Sequence, residues 1–200
     1  MGNVKYKAYY SGAIYHIYNR GNNKQNIFQE TNDFANYLKR LKNTKEKYNV
    51  SLLAYVLMPN HLHLEVRQNS EVPIYKFISS LHTSYAIYFN KKYGKVGHLF
   101  QGRFKQRIVK DDDDLLYLSC YIHLNPEADG LVQKVEDYQW SSYRDYIGLR
   151  SGTLCDRTLI ADLFQSQGLS FAGVYRKFVE ENKKTILENK LIREFLKDSP

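Results

Sequence analysis

The spacing of apolar residues changes several times along the chain, and each change marks an element. Ala13-Ile14-Tyr15-His16-Ile17-Tyr18 is rich in β-branched and aromatic residues and ends at Asn19-Arg20-Gly21-Asn22-Asn23, a turn signal. Over residues 31–48, Phe34, Tyr37, Leu38 and Leu41 recur at helical spacing, with Thr31 or Asn32 as the N-cap. Val50 to Leu57 reads as a buried strand, Met58-Pro59-Asn60 as a turn, and His61 to Arg67 alternates as a second strand. Residues 73–93 carry the stripe Ile74, Phe77, Ile78, Leu81, Tyr85 and Tyr88 of a long amphipathic helix, broken by Gly94 and Gly97. Phe104 to Lys110 is a further strand. Asp111–Asp114 opens a helix running to about Asn125, its acidic first turn matching the helix dipole. The order β-α-β-β-α-β-α predicts an α+β fold of the ferredoxin-like split βαβ kind, an antiparallel sheet with helices packed on one face. Residues 151–200 read as helical throughout, so the expected organisation is a domain over 1–150 and a helical C-terminal extension over 151–200.

Composition narrows the class. The chain has 200 residues, enough to bury a core without covalent staples. Its two cysteines, Cys120 and Cys155, are too few for a disulfide framework and suit a reducing cytoplasm. No apolar run reaches membrane-span length, and Met1-Gly2-Asn3-Val4-Lys5 shows no leader pattern. The net charge is +8, and the excess lies in residues 1–150, with 21 Lys and Arg against 14 Asp and Glu. A polyanion partner follows as the expectation, nucleic acid first, with a cytoplasmic, nucleoid-associated location. The 18 tyrosines suit stacking on unpaired bases, although packing explains any one of them equally.

Three groups of residues carry candidate chemistry. On a strand, His61, His63 and Glu65 point one way and Leu62, Leu64 and Val66 the other. The apolar set belongs under the helices, which leaves the histidines on the open side of the sheet. Two imidazoles at i and i+2 can hold one divalent ion, though a His-x-His pair alone reads as readily as a surface coincidence or a structural pair. On the helix, Tyr117, Tyr121 and Asn125 share a face opposite Leu115, Leu118 and Ile122. Tyr121 then offers an oxygen nucleophile and Asn125 an oxygen ligand. The plainer reading is an interfacial Tyr and an Asn that ends the helix before Pro126. Finally, residues 91–110 hold Lys91, Lys92, Lys95, Arg103, Lys105, Arg107 and Lys110 with no acid. Arg103, Lys105 and Arg107 fall on one strand face, a ridge that could track a phosphate backbone or protect a sheet edge.

These pieces resemble a known family. Met58-Pro59-Asn60-His61-Leu62-His63-Leu64 is similar to the His-hydrophobic-His motif of the HUH single-tyrosine transposases. Four further stretches resemble the branch associated with repetitive extragenic palindromes (REP): Tyr15-His16-Ile17 with Asn19-Arg20-Gly21, Gly97-His98-Leu99-Phe100-Gln101-Gly102-Arg103-Phe104-Lys105, Tyr121-Ile122-His123-Leu124-Asn125-Pro126, and Trp140-Ser141-Ser142-Tyr143. The resemblance covers about residues 9–147. It implies a metal-dependent single-stranded DNA endonuclease and strand transferase using Mg²⁺ or Mn²⁺. His61 and His63 match the metal ligands and Asn125 a position that completes the shell. Tyr121 matches the nucleophile, giving a 5′-phosphotyrosine and a free 3′-hydroxyl, with Tyr117 one turn earlier as the fallback. The implied substrate is DNA with imperfect hairpins, cleaved near the foot, bound by Arg20, Lys95, Arg103, Lys105 and Arg107. The implied assembly is a monomer or homodimer.

Two other readings use the same residues. A non-catalytic binder of structured single-stranded DNA or RNA would need the sheet, cations and tyrosines but neither metal nor nucleophile. A replication initiator or relaxase would share the chemistry, but the small size and lone tyrosine on a short helix fit it less well.

Overall fold

The computed structural model describes residues 9–164 and 170–198, so the Met1–Lys5 start lies outside the described residues. Contacts divide the chain into two units: residues 1–52 with 57–109, and residues 53–56 with 110–200.

The first unit contains β1 (Ile14–Arg20), α1 (Thr31–Lys47), β2 (Val50–Met58), β3 (His61–Gln68), α2 (Ile74–Tyr93) and β4 (Lys105–Ile108). The sheet order is β2-β3-β1-β4, with β1 antiparallel to both β3 and β4. This is the expected α+β arrangement: the α1 crossover carries the chain past one strand position to β2, β3 returns to fill the gap beside β1, and the α2 crossover brings β4 to the other side of β1. Ile17, Leu62, Leu64 and Val66 line one face and are fully buried. Each contributes roughly 1.5–3 kcal/mol relative to exposure. α2 packs on this face, where Asn19 Nδ2 reaches His82 Nδ1 at 3.4 Å. At the end of β1 the chain turns tightly. A Cβ on Gly21 would lie 2.0 Å from the Gln25 carbonyl oxygen, so only glycine fits. Beyond β4's own residues, Asn22 N–H donates to Leu99 O and Gln101 N–H to Arg20 O, pinning the 99–101 segment to the end of β1.

Four boundaries differ from expectation. The N-cap of α1 is Glu30, in a reciprocal capping box with Asp33, because an acidic side chain one position earlier reaches the same orphan amides. In α2 the buried stripe ends on Phe89, and Tyr88 turns outward to bond Asp33. β4 starts at Lys105 instead of Phe104, so Arg103 precedes the strand. The next helix continues through Pro126 to Ala128. Proline removes one backbone bond there, and Asn125 Nδ2 donates to the Tyr121 carbonyl at 2.7 Å, adding a side-chain bond across the same turn.

Asp33 ties α1 to α2. It is fully buried and accepts hydrogen bonds from Lys92, Tyr88, Tyr93 and the Gln29 and Glu30 amides. Burial alone would raise this carboxyl, but the donors, led by Lys92, outweigh it and hold the group below its usual range.

The second unit contains α3 (Asp112–Ala128), α4 (Tyr143–Tyr146), α5 (Thr158–Leu163) and α6 (Phe171–Asp198), of which α5 and α6 make up the helical C-terminal stretch expected after residue 150. Asp111 caps α3, accepting from the Asp114 amide at 2.8 Å. Arg150 grips Asp145 in a two-point bond, Nε to Oδ1 at 2.6 Å and Nη2 to Oδ2 at 2.7 Å. β2 residues 53–56 belong to this core: Tyr146 Oη donates to Leu53 O and Val56 bridges Ser141. Among the described residues, no helix is long and apolar enough to cross a membrane.

Burial pushes His82 in the first unit and His123 in the second from the ordinary 6.5 down to about 3. Both are neutral when folded and take up a proton on unfolding below pH 6.5. Their stabilising contribution is therefore complete above pH 6.5 and falls by about 1.4 kcal/mol per pH unit for each imidazole on acidification. Asp33 adds to the loss only below its ordinary 3.8. Urea denaturation of the first unit between pH 7 and pH 4 should give a falling stability that His82→Phe flattens by that slope. An unchanged slope in the variant would contradict the assignment.

Candidate active site

The register of β1 decides what shares a sheet face. His16 stands opposite Glu65 on β3 and Arg107 on β4, and Tyr18 stands opposite His63 and Lys105. Arg20 stands opposite His61. Two rows therefore cross the sheet, Glu65–His16–Arg107 and His63–Tyr18–Lys105, on the face away from α2. The expected His-x-His face thus carries three of the expected cations, Arg20, Lys105 and Arg107. It also carries His16 and Tyr18, to which the sequence reading assigned no role. Their alternation with Tyr15 and Ile17 along β1 was the available signal, but only the pairing places them beside His63.

The face is not open, contrary to expectation. His63 is 7% exposed and Glu65 0%. His16 and Tyr18 lay their rings against His63, with centroids 5.1 and 5.7 Å away and near-parallel planes.

Hydrogen bonds orient the imidazoles. His63 Nδ1 lies 2.9 Å from His16 Nε2, and His61 Nδ1 lies 2.7 Å from Asn60 Oδ1. The Asn60 oxygen accepts, so the His61 proton is on Nδ1 and its Nε2 carries the lone pair that a metal requires. The His61 and His63 rings are 5.3 Å apart and perpendicular. This donor set fits a divalent ion held by both Nε2 atoms. Among the described residues, no group of three or more His, Cys, Asp and Glu side chains is placed to hold a metal. The remaining ligands would then be amide, phosphate or water oxygens, as Mg²⁺ and Mn²⁺ prefer.

The expected cations are exposed. Arg20 donates from Nε to Gln101 Oε1, and Lys95 follows the end of α2. Arg103 does not share the Lys105–Arg107 strand face. It lies in the loop before β4, in a cleft along α2.

Tyr121, Asn125 and Tyr117 belong to the second unit, on α3. Tyr117 and Tyr121 are half-buried, and Asn125 is 1% exposed. The Asn125 amide nitrogen donates to the Tyr121 carbonyl at 2.7 Å. α3 is anchored by His123, fully buried between these two residues in sequence. Tyr55 N–H donates to Ser142 Oγ at 2.9 Å, and Ser142 lies 2.7 Å from His123 Nε2. His123 Nδ1 lies 2.7 Å from Tyr175 Oη, which donates to Ser119 Oγ, which donates to Leu116 O. The Tyr175 proton goes to Ser119, so His123 donates from Nδ1 and accepts at Nε2. Every link then has one donor and one acceptor.

Residues 9–125 match the family described as Transposase IS200 like. The chain belongs to that family. A Haemophilus influenzae protein carrying the name REP-associated tyrosine transposase is 32% identical over 113 residues, which is 51% of this chain and 64% of the relative. The chain thus matches a little under two thirds of that relative's length. A solved structure of a REP-associated tyrosine transposase bound to a REP hairpin superposes with a TM-score of 0.61 at 18% identity, covering 79% of this chain and 96% of that one. At that identity the likeness establishes the fold.

His123→Phe leaves the Ser142 and Tyr175 hydroxyls facing a ring that cannot bond them. The variant should lose about 2–4 kcal/mol in urea denaturation followed by Trp140, the single tryptophan, which adjoins Ser141 and Ser142. A loss below about 0.5 kcal/mol would show that the chain of bonds does not hold α3 in place.

Proposed function

We propose that this protein is a single-tyrosine transposase of REP-associated type, which cuts and rejoins single-stranded DNA at hairpins. The observation that carries the reading is the layout of the first unit's sheet. The His61/His63 pair shares one face with Lys105, Arg107 and Arg20, in a chain of the IS200-like family. The names of the relatives support the REP-hairpin substrate.

In this reading Lys105, Arg107 and Arg20 bind phosphates of the strand, which sets its position without reading its sequence. His61 and His63, with Asn125 Oδ1, would hold Mg²⁺ or Mn²⁺, which supplies polarisation of the scissile phosphate and neutralises charge developing on it. Tyr121 Oη attacks phosphorus and its proton passes to solvent. The bond from phosphorus to the 3′ oxygen breaks, and that oxygen takes a proton to leave as a free hydroxyl. The 5′ end remains as a phosphotyrosine ester. Phosphodiester energy is conserved in that ester, so a 3′-hydroxyl from another strand can reverse the reaction or redirect it without ATP. Tyr117, one turn earlier, is the fallback nucleophile. A soluble cytoplasmic enzyme associated with the nucleoid is the setting this chemistry implies.

Covalent capture tests the proposal. Labelled single-stranded hairpins from DNA flanking the gene are incubated with the protein and Mn²⁺, then denatured. Wild type and Tyr117→Phe should carry a labelled adduct that maps to Tyr121, and Tyr121→Phe and His61→Ala should carry none. Lys105→Ala and Arg107→Ala should each weaken hairpin binding and reduce the salt slope of the affinity by about 1. Tight hairpin binding with no adduct in any metal would replace the enzyme by a silent binder of structured DNA.

A further inference from the structure

His16 has no part in the chemistry proposed above, yet its ring is bonded to a metal-ligand candidate. His16 Nε2 lies 2.9 Å from His63 Nδ1, and each residue is 7% exposed. The two stand diagonally across β1 and β3, one pair apart, a separation that two imidazoles span. Their ring centres are 5.1 Å apart in planes 19° from parallel. That is close to the nitrogen–nitrogen gap plus two ring radii, so the two nitrogens point at each other along the line of centres. We infer that His16 is a positioning residue for the metal centre: it fixes the proton of His63 on Nδ1 and so leaves the Nε2 lone pair for the ion. The inference rests on the reading of His61 and His63 as metal ligands.

A hydrogen bond between two neutral imidazoles has one donor and one acceptor, so only two arrangements exist. If His16 Nε2 donated, His63 would accept at Nδ1 and carry its own proton on Nε2, the atom that must face the metal. If His63 Nδ1 donates, its Nε2 is bare and His16 carries its proton on Nδ1. Only the second arrangement lets His63 act as His61 does, whose Nδ1 proton goes to Asn60 Oδ1 at 2.7 Å. Enclosure makes His16 the group that decides. Water has little access to either ring, and a polar nitrogen enclosed in protein needs a protein partner. Tyr18 holds the pair in place, with its ring centre 4.9 Å from that of His16 and 5.7 Å from that of His63. His16 is not itself a third ligand. Its Nε2 is spent on His63, and among the described residues no group of three or more His, Cys, Asp and Glu side chains is placed to hold a metal. The two ligands are thus oriented by different means: His61 by its neighbour in sequence, His63 by an imidazole that strand pairing brings from β1.

The first measurement needs neither metal nor variant. Proton–nitrogen correlation NMR of protein isotope-labelled at histidine shows which ring nitrogen carries the proton, at about pH 8 where an ordinary imidazole is neutral. His63 and His16 should each carry it on Nδ1. A wild-type His63 protonated on Nε2 would overturn the inference outright, even if no variant folds. His16→Phe then keeps an aromatic ring beside Tyr18 and removes the acceptor, whereas His16→Gln returns an acceptor oxygen. Mn²⁺ binding to each protein is followed by electron paramagnetic resonance of the free ion. His16→Phe should bind Mn²⁺ about tenfold more weakly than wild type and move the His63 proton toward Nε2, and His16→Gln should recover most of both. Unchanged Mn²⁺ affinity in His16→Phe would overturn the inference. So would weakened affinity with the His63 proton still on Nδ1, which is the mark of a packing defect alone. Failure of the wild type to bind Mn²⁺ would overturn the metal reading of His61 and His63, and this inference with it.

Discussion

Everything chemical in the first unit depends on the register of β1 between β3 and β4. Antiparallel pairing sets His16 against Glu65 and Arg107, and Tyr18 against His63 and Lys105. A slip of one residue would move Ile17 and Leu64 to the polar face and bury the imidazoles against α2. The apolar set opposes that slip with four fully buried aliphatic side chains. Hydrophobic burial, which has no direction of its own, thus enforces a directional arrangement on the other face. Gly21 and the bonds from Asn22 and Gln101 secure the same register at the end of β1, where Arg20 meets His61.

The two buried histidines outside the metal pair show opposite uses of the same group. Burial keeps each neutral. His123 spends both nitrogens in a chain of bonds with one direction throughout, which ties α3 to Ser142 and Tyr175 and leaves nothing for a ligand. His82 spends one nitrogen on Asn19 and buries the other without a partner. A satisfied network rigidifies, whereas a half-satisfied one is a standing cost. The contrast assigns His123 to the scaffold of α3 and leaves His82 as a neutral group held in the apolar interior beneath α2.

Period alone made much of this fold legible. The alternation of His61 to Arg67 and the stripes of residues 31–48 and 73–93 gave strand and helices nearly at their observed limits, and their order gave the topology. What period could not give was pairing. His16 and Tyr18 were visible as polar or aromatic positions on a strand, but their place beside His63 is a fact about β1 and β3 together. Arg103 looked like part of a strand ridge because parity counts residues and does not see where a strand begins. Glu30 escaped as a cap because the capping box works through the pair with Asp33, and Pro126 escaped because a helix tolerates the one backbone bond that proline removes in its last turn. Orphaned atoms such as His82 Nε2 are illegible in principle, since an absent partner has no sequence signature.

Glu65 is the costliest residue on the active face. A carboxylate with no solvent exposure costs several kcal/mol, and an aliphatic residue would pack at that position with less penalty. Its row grades charge with depth: Glu65 is fully buried, His16 nearly so, and Arg107 exposed. Lys105, exposed beside it, repeats the pattern next to Tyr18 and His63. A phosphodiester approaching this face therefore meets the exposed Lys105 and Arg107 first, while the carboxyl group sits at the buried end of its row, where it faces the strand least.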